Sequence, residues 1–115
     1  MHDLPVLEEK LGVKFNNCDL LRQALVHRSY LNENPDFGLD NNERLEFLGD
    51  AVLEVVVTEH IFRQYPNPEG ELTNWRAALV NAKTLSEIAV DLDLNDFILL
   101  STIFVFLSCE YIFSV

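Results

Sequence analysis

Four acidic residues, Glu43, Glu46, Asp50 and Glu54, follow one another at steps of three and four within NNERLEFLGDAVLEVVVTEHIFRQ, residues 41–64. Such steps bring side chains onto one face of an α-helix, which turns every 3.6 residues. Hard divalent cations prefer clustered carboxylate oxygens, so this face could hold a metal ion. The plain alternative is a solvated surface, the usual setting for acids at helical spacing. Leu45, Leu48, Val52, Val55 and Val56 fall largely on the opposite arc and are expected to face the core. One rod would then carry a carboxylate face and an apolar face.

The elements around it read as helices. Leu4, Leu7 and Leu11 mark a short helix over 2–13, with Gly12 as its stop. Asp19 is the expected N-cap of a second helix running through Leu20, Leu21, Leu25 and Val26 to about Leu31. The stretch 32–40, NENPDFGLD, combines loop formers, and Pro66, Pro68 and Gly70 make a second loop after Tyr65. Thr73 is expected to cap the next helix, which carries Trp75 to Val80. A break over 81–84 separates it from a last stripe of Leu85, Ile88, Ala89 and Leu92. No segment alternates with period two, so the fold class expected is all-α.

The totals narrow the function. With 115 residues and 49% apolar residues, the chain fits one domain with an ample core. Its net charge of −11, from 19 acids against 8 bases, argues against a sequence-independent nucleic-acid binder. It leaves room for an enzyme that meets phosphate through cations, because bound metal inverts the local charge logic. Cys18 and Cys109 have no metal-site spacing and suggest a reducing compartment, with Cys18 expected to be buried. The N-terminal MHDLPVLEEK lacks the pattern of a signal peptide, so a cytoplasmic location is expected. The last nineteen residues, FILLSTIFVFLSCEYIFSV, carry Glu110 as their only charge. A membrane span, a buried terminal element lacking its partner, and a lost reading frame near Ser101 all fit this run. Glu110 and the lack of basic anchors weigh against a membrane.

Asn42-Glu43-Arg44-Leu45-Glu46-Phe47-Leu48-Gly49-Asp50-Ala51-Val52-Leu53 resembles the signature stretch of the ribonuclease III family. Leu25-Val26-His27-Arg28-Ser29-Tyr30 resembles the family's preceding helix. Glu69-Gly70-Glu71-Leu72-Thr73 with Arg76-Ala77-Ala78-Leu79-Val80-Asn81 resembles the segment that follows. The likeness covers about residues 5 to 101. It implies a helical ribonuclease III endonuclease-type domain that hydrolyses double-stranded RNA in rRNA and mRNA precursor processing, as a homodimer. The resemblance makes Glu46 and Asp50 active-site carboxylates that hold Mg²⁺, with Mn²⁺ as an alternative, so that metal activates water beside the scissile phosphate. It places Glu43 at the edge of the site and Glu69 as an RNA-contacting acid near the cleft. Phe47 becomes a dimer contact. Gly49, without a Cβ, would admit a neighbouring helix.

The chain departs from the family after Ser101. The second acidic motif, an Asp and a Glu three residues apart, is not found there, and Glu110 stands alone. No double-stranded-RNA-binding domain is recognised. The expected organisation is an incomplete, C-terminally truncated or altered ribonuclease III-like domain over 1–101 and an apolar tail over 102–115. Such a chain is expected to be inactive alone. Two other readings stand beside it: a non-catalytic RNA- or ribosome-binding module, and an acidic helical protein-interaction domain. His27 reads as a hydrogen-bonded helix residue, and Trp75 and Arg76 as packing and a surface or interhelix ion pair.

Overall fold

Gly12 adopts φ 69°, a left-handed conformation that glycine takes without strain, and closes the first helix, α1 (Leu4–Leu11). The computed structural model describes residues 3–102. After α1 come α2 (Cys18–Ala24), α3 (Arg28–Glu33), α4 (Glu43–Gln64), α5 (Glu69–Leu79) and α6 (Ala82–Asp91), then a 3-10 turn over Leu94–Asp96. The described residues form no strand; one isolated parallel bridge pairs Val26 with Leu99. The all-helical expectation holds. The tail beyond 102 lies outside the described residues.

Several helix ends differ from expectation for local reasons. Asn17, not Asp19, caps α2, its side chain accepting from the Asp19 amide at 3.1 Å. The helix expected to continue to Leu31 is split at Val26, a β-branched residue that suits extended backbone. Val26 is completely buried. Around it the His27 amide donates to the Leu99 carbonyl at 3.0 Å, and the Leu99 amide donates to the Leu25 carbonyl at 2.8 Å. His27 then caps α3, its Nδ1 accepting from the Ser29 amide at 3.2 Å. Helix α5 starts four residues before Thr73, directly after Pro68. Proline has a fixed φ and Glu69 and Glu71 sit favourably at the positive end of the helix dipole. Cys18 is exposed at the first position of α2 rather than buried.

The break expected over 81–84 is shorter and falls at Val80–Asn81, because α6 starts at Ala82 and both helices are capped by Asn81. Its side-chain NH₂ donates to the carbonyls of Ala77 and Ala78 at 3.2 and 2.8 Å, and its Oδ1 accepts from the Thr84 amide at 2.9 Å. One amide group thus finishes one helix and starts the next. Asn81→Ala is expected to lower stability by about 1–2 kcal/mol, the range for a lost cap; chemical denaturation checks this. A change under 0.3 kcal/mol would show that water replaces all three bonds.

Leu7, Leu21, Leu25 and Phe97 form the core, with Leu4, Leu94 and Ile98 packed against it. The core therefore belongs to α1, α2 and residues 94–98. Helices α4 and α5 form a separate hairpin. There Ile61 is buried, the Tyr65 and Trp75 rings meet edge to face at 5.1 Å, and Arg76 Nη1 donates to Thr58 Oγ1 at 3.1 Å. Arg76 makes an interhelix hydrogen bond where an ion pair was expected.

The apolar arc of α4 does not face a core. Leu45 is half-buried, whereas Leu48, Val52, Val55 and Val56 are exposed. Helical geometry gives the reason. Ile61 follows Glu43 by five full turns and lies on the same face. Helix α5 thus covers the C-terminal half of the face whose N-terminal half carries the carboxylates. Among the described residues nothing buries Leu48, Val52, Val55 or Val56 on the opposite arc. A Cβ built on Gly49 would likewise meet nothing within 4 Å, so the close helix approach expected there is absent among the described residues.

Candidate active site

The N-terminus of α4 is tied to the turn after α2 by a set of polar contacts. The Asn42 amide donates to the Val26 carbonyl at 2.9 Å, and Asn42 Nδ2 donates to the Ala24 carbonyl at 3.1 Å. Gln23 Nε2 donates to the Asn41 carbonyl at 3.2 Å, and the Glu43 amide donates to Asn41 Oδ1 at 3.0 Å. These residues hold the carboxylate helix in place, and sequence reasoning assigned none of them a role. A signal was available: asparagines directly before an acid-rich helix are natural end groups. Their long-range partners were not readable.

On the seated helix, Glu46 and Asp50 stand one turn apart, a rise of about 6 Å. Both are exposed. Glu43 is also exposed and lies 3.7 Å from Arg28 Nη1 on α3. Such a surface pair is worth less than about 1 kcal/mol, so it orients Glu43 without locking it. Glu43 and Glu46 occupy the first turn, where the helix dipole favours negative charge. Phe47 projects from the same side and is 84% exposed, outside the core formed by the described residues.

Glu69 is not brought to this cluster. As the first residue of α5 it accepts from Thr73 Oγ1 at 3.1 Å and lines a groove of about 500 Å³ with Ile61, Phe62 and Tyr65. Ile61 lies fifteen residues beyond Glu46, about 22 Å along the helix axis. Within one chain, Glu69 and the Glu46–Asp50 pair therefore serve different surfaces.

No group of three or more His, Cys, Asp or Glu side chains that could hold a metal ion occurs among the described residues. The pair still fits Mg²⁺ by donor type, because that ion is usually held by one or two carboxylates, with water and substrate phosphate completing its shell. Glu46 and Asp50 would be the ligands. His27, by contrast, is engaged in its cap and stands 2.7 Å from the Ser29 hydroxyl.

The comparison with known proteins settles the relationship. Residues 17–104 match the family model described as Ribonuclease-III-like. The chain belongs to the ribonuclease-III-like family. It is 46% identical over 101 residues to Ribonuclease 3 of Dehalococcoides mccartyi, covering 87% of this chain and 43% of that protein. Ribonuclease 3 of Borreliella afzelii is 53% identical over 93 residues, covering 80% of this chain and 38% of its own length. The chain thus spans less than half the length of these curated relatives. A crystal structure of the nuclease domain of ribonuclease III from Campylobacter jejuni superimposes with a TM-score of 0.77 at 45% identity, covering 90% of this chain and 67% of that one. A second structure of that nuclease domain, described for flexibility in the region involved in its dimer formation, gives a TM-score of 0.78 at the same identity. It covers 88% of this chain and 67% of its own. Among the described residues, no helix of this family member is long and apolar enough to cross a membrane.

Proposed function

We propose that this chain supplies half of the active site of a metal-dependent endoribonuclease that hydrolyses double-stranded RNA in the processing of rRNA and mRNA precursors in the cytoplasm. The observation that carries the reading is the pair Glu46–Asp50, exposed one turn apart on an anchored helix in a chain whose curated relatives are named Ribonuclease 3. The two carboxylates bind and orient Mg²⁺, or Mn²⁺ in its place. Bound Mg²⁺ supplies Lewis-acid polarisation of a phosphate oxygen and eases attack by water. Glu43, tethered beside Arg28, borders the site and helps to place the RNA backbone. Phe47, exposed among the described residues, packs into a second copy in a homodimer. Glu69 then contacts RNA away from its own chain's carboxylate pair.

The net charge of −11 supports a role for cations. An acidic surface repels phosphate, and binding depends on ions placed between the two. In this reading residues 1–101 form an incomplete catalytic-type unit and residues 102–115 its apolar tail.

The reading is tested with long double-stranded RNA, Mg²⁺ and the 115-residue chain alone. Cutting is expected to be at least about a hundredfold slower than by the Dehalococcoides mccartyi enzyme, since each missing electrostatic contributor costs 10²–10³. Fast cutting by this chain that disappears in Glu46→Gln would overturn the half-site proposal. Fast cutting that survives both Glu46→Gln and Asp50→Asn would remove these residues from the chemistry altogether. RNA binding with no cutting under any condition would favour the non-catalytic module.

A further inference from the structure

Arg28 is an exposed side chain whose backbone is held on both sides. Val26 and Ser29, just before and after it, are buried. The Val26 carbonyl accepts from the Asn42 amide at 2.9 Å, and the His27 amide donates to the Leu99 carbonyl at 3.0 Å. Ser29 Oγ accepts from the Ser101 amide at 3.1 Å. One turn therefore fixes both the root of Arg28 and, through Asn42, the start of the helix that carries Glu46 and Asp50. The guanidinium stands 3.7 Å from Glu43 Oε1, and the Arg28 side chain is 72% exposed. That separation is too long for a hydrogen bond. The other three ion pairs among the described residues, Lys10–Asp93, Arg22–Asp19 and Arg63–Glu59, close to 3.2 Å or less. Glu46 follows Glu43 by three residues, a rise of about 4.5 Å. A cation whose donors are not taken up by Glu43 thus borders the carboxylate pair.

The charges say what this cation can meet. A metal ion on Glu46 and Asp50 would offset those two acids, but Glu43 would still repel phosphate. Arg28 cancels that charge. A guanidinium also presents five N–H donors in a planar fork that matches phosphate oxygens in pairs. Arg44, the adjacent base on α4, is turned about 200° from Glu46 and lies off the carboxylate face. We propose that Arg28 is an RNA-positioning residue. Its guanidinium takes the non-bridging oxygens of a backbone phosphate next to the one held at Glu46–Asp50. Such a contact sets register along the duplex and carries no base preference. This inference rests on the double-stranded RNA reading above and adds a residue to it.

The test titrates the full 115-residue chain against fluorescent double-stranded RNA in Mg²⁺ over a range of salt concentrations, with anisotropy as the readout. Arg28→Gln should weaken binding at least about threefold and lower the slope of log affinity against log salt by about one, as for one lost phosphate contact. Arg28→Lys should keep the slope, because the charge stays, yet bind less tightly than the parent, because the fork is lost. Arg63→Gln is the control. It makes the same charge change on α4, about 25 Å along the axis from Glu46, and should alter neither quantity. Circular dichroism and thermal midpoint of Arg28→Gln should match the parent, since an exposed pair adds little to folding. Equal losses in Arg28→Gln and Arg63→Gln would mean diffuse charge and overturn the proposal. A slope lost as fully in Arg28→Lys would mean a packing role and overturn it too. RNA binding that survives Arg28→Gln unchanged sinks the contact alone, whereas a parent chain that binds no double-stranded RNA sinks the RNA reading with it.

Discussion

Glu46→Gln and Asp50→Asn should each reduce Mn²⁺ affinity by at least tenfold, with circular dichroism and thermal midpoint unchanged. Each substitution replaces a charged oxygen donor by a neutral amide of the same size on an exposed helix face. Loss of even an outer-shell partner typically costs 10–100-fold in metal affinity, and these residues would touch the ion directly. The double variant should bind no more Mn²⁺ than a denatured chain. Titration followed by electron paramagnetic resonance of free Mn²⁺ gives the numbers without requiring catalysis. Glu54→Gln is the matched control: an exposed acid one turn beyond Asp50 that is assigned no ligand role. Equal losses for all three substitutions would mean diffuse attraction by an acidic surface, and the pair would lose its special status.

Leu7→Ala should destabilise the fold by about 2–5 kcal/mol, the range for a buried leucine cut back to alanine. Leu7 is 1% exposed and belongs to the cluster with Leu21, Leu25 and Phe97. That cluster joins the first two helices to residues 94–98, so the loss reaches both ends of the described chain. Total stabilities of small domains are about 5–15 kcal/mol, so the substitution removes a large share of what holds the fold. Val55→Ala should change stability by less than about 0.5 kcal/mol, as is usual for an exposed position. Urea denaturation of both variants separates the two cases. Similar effects at Leu7 and Val55 would mean that α4 is covered in solution by contacts made within the chain itself.

Much of this molecule was legible as residue pattern. The carboxylate spacing, the left-handed Gly12 and the break at Asn81 each follow from rules acting over a few residues. The misreadings have a common source. Leu48, Val52, Val55 and Val56 have the spacing of a buried face, but spacing states only which residues share a side; it does not supply the neighbour. The helix expected through Leu31 failed at Val26 because the pairing of Val26 with Leu99 is long-range, outside any local window. Asn41 and Asn42 drew no role from the sequence, yet their bonds to Gln23, Ala24 and Val26 seat the candidate site. Glu69 shows the remaining limit. Its place in a motif carries no distance, and the hairpin sets it far along the rod from Glu46.

The turn at Leu25–His27 closes two loops of unequal length. Asn42 and Leu99, both bonded there, follow Val26 by 16 and 73 positions. Closure entropy grows with the logarithm of length, so the long loop costs only about 1.3 kcal/mol more to close than the short one. In time the two differ more, because local contacts form ahead of distant ones. The start of α4 can therefore dock on the turn while Leu99 is still far away. The helix bearing Glu46 and Asp50 takes its anchor from the first 42 residues, and the returning chain adds Leu99 to the other side of the same turn.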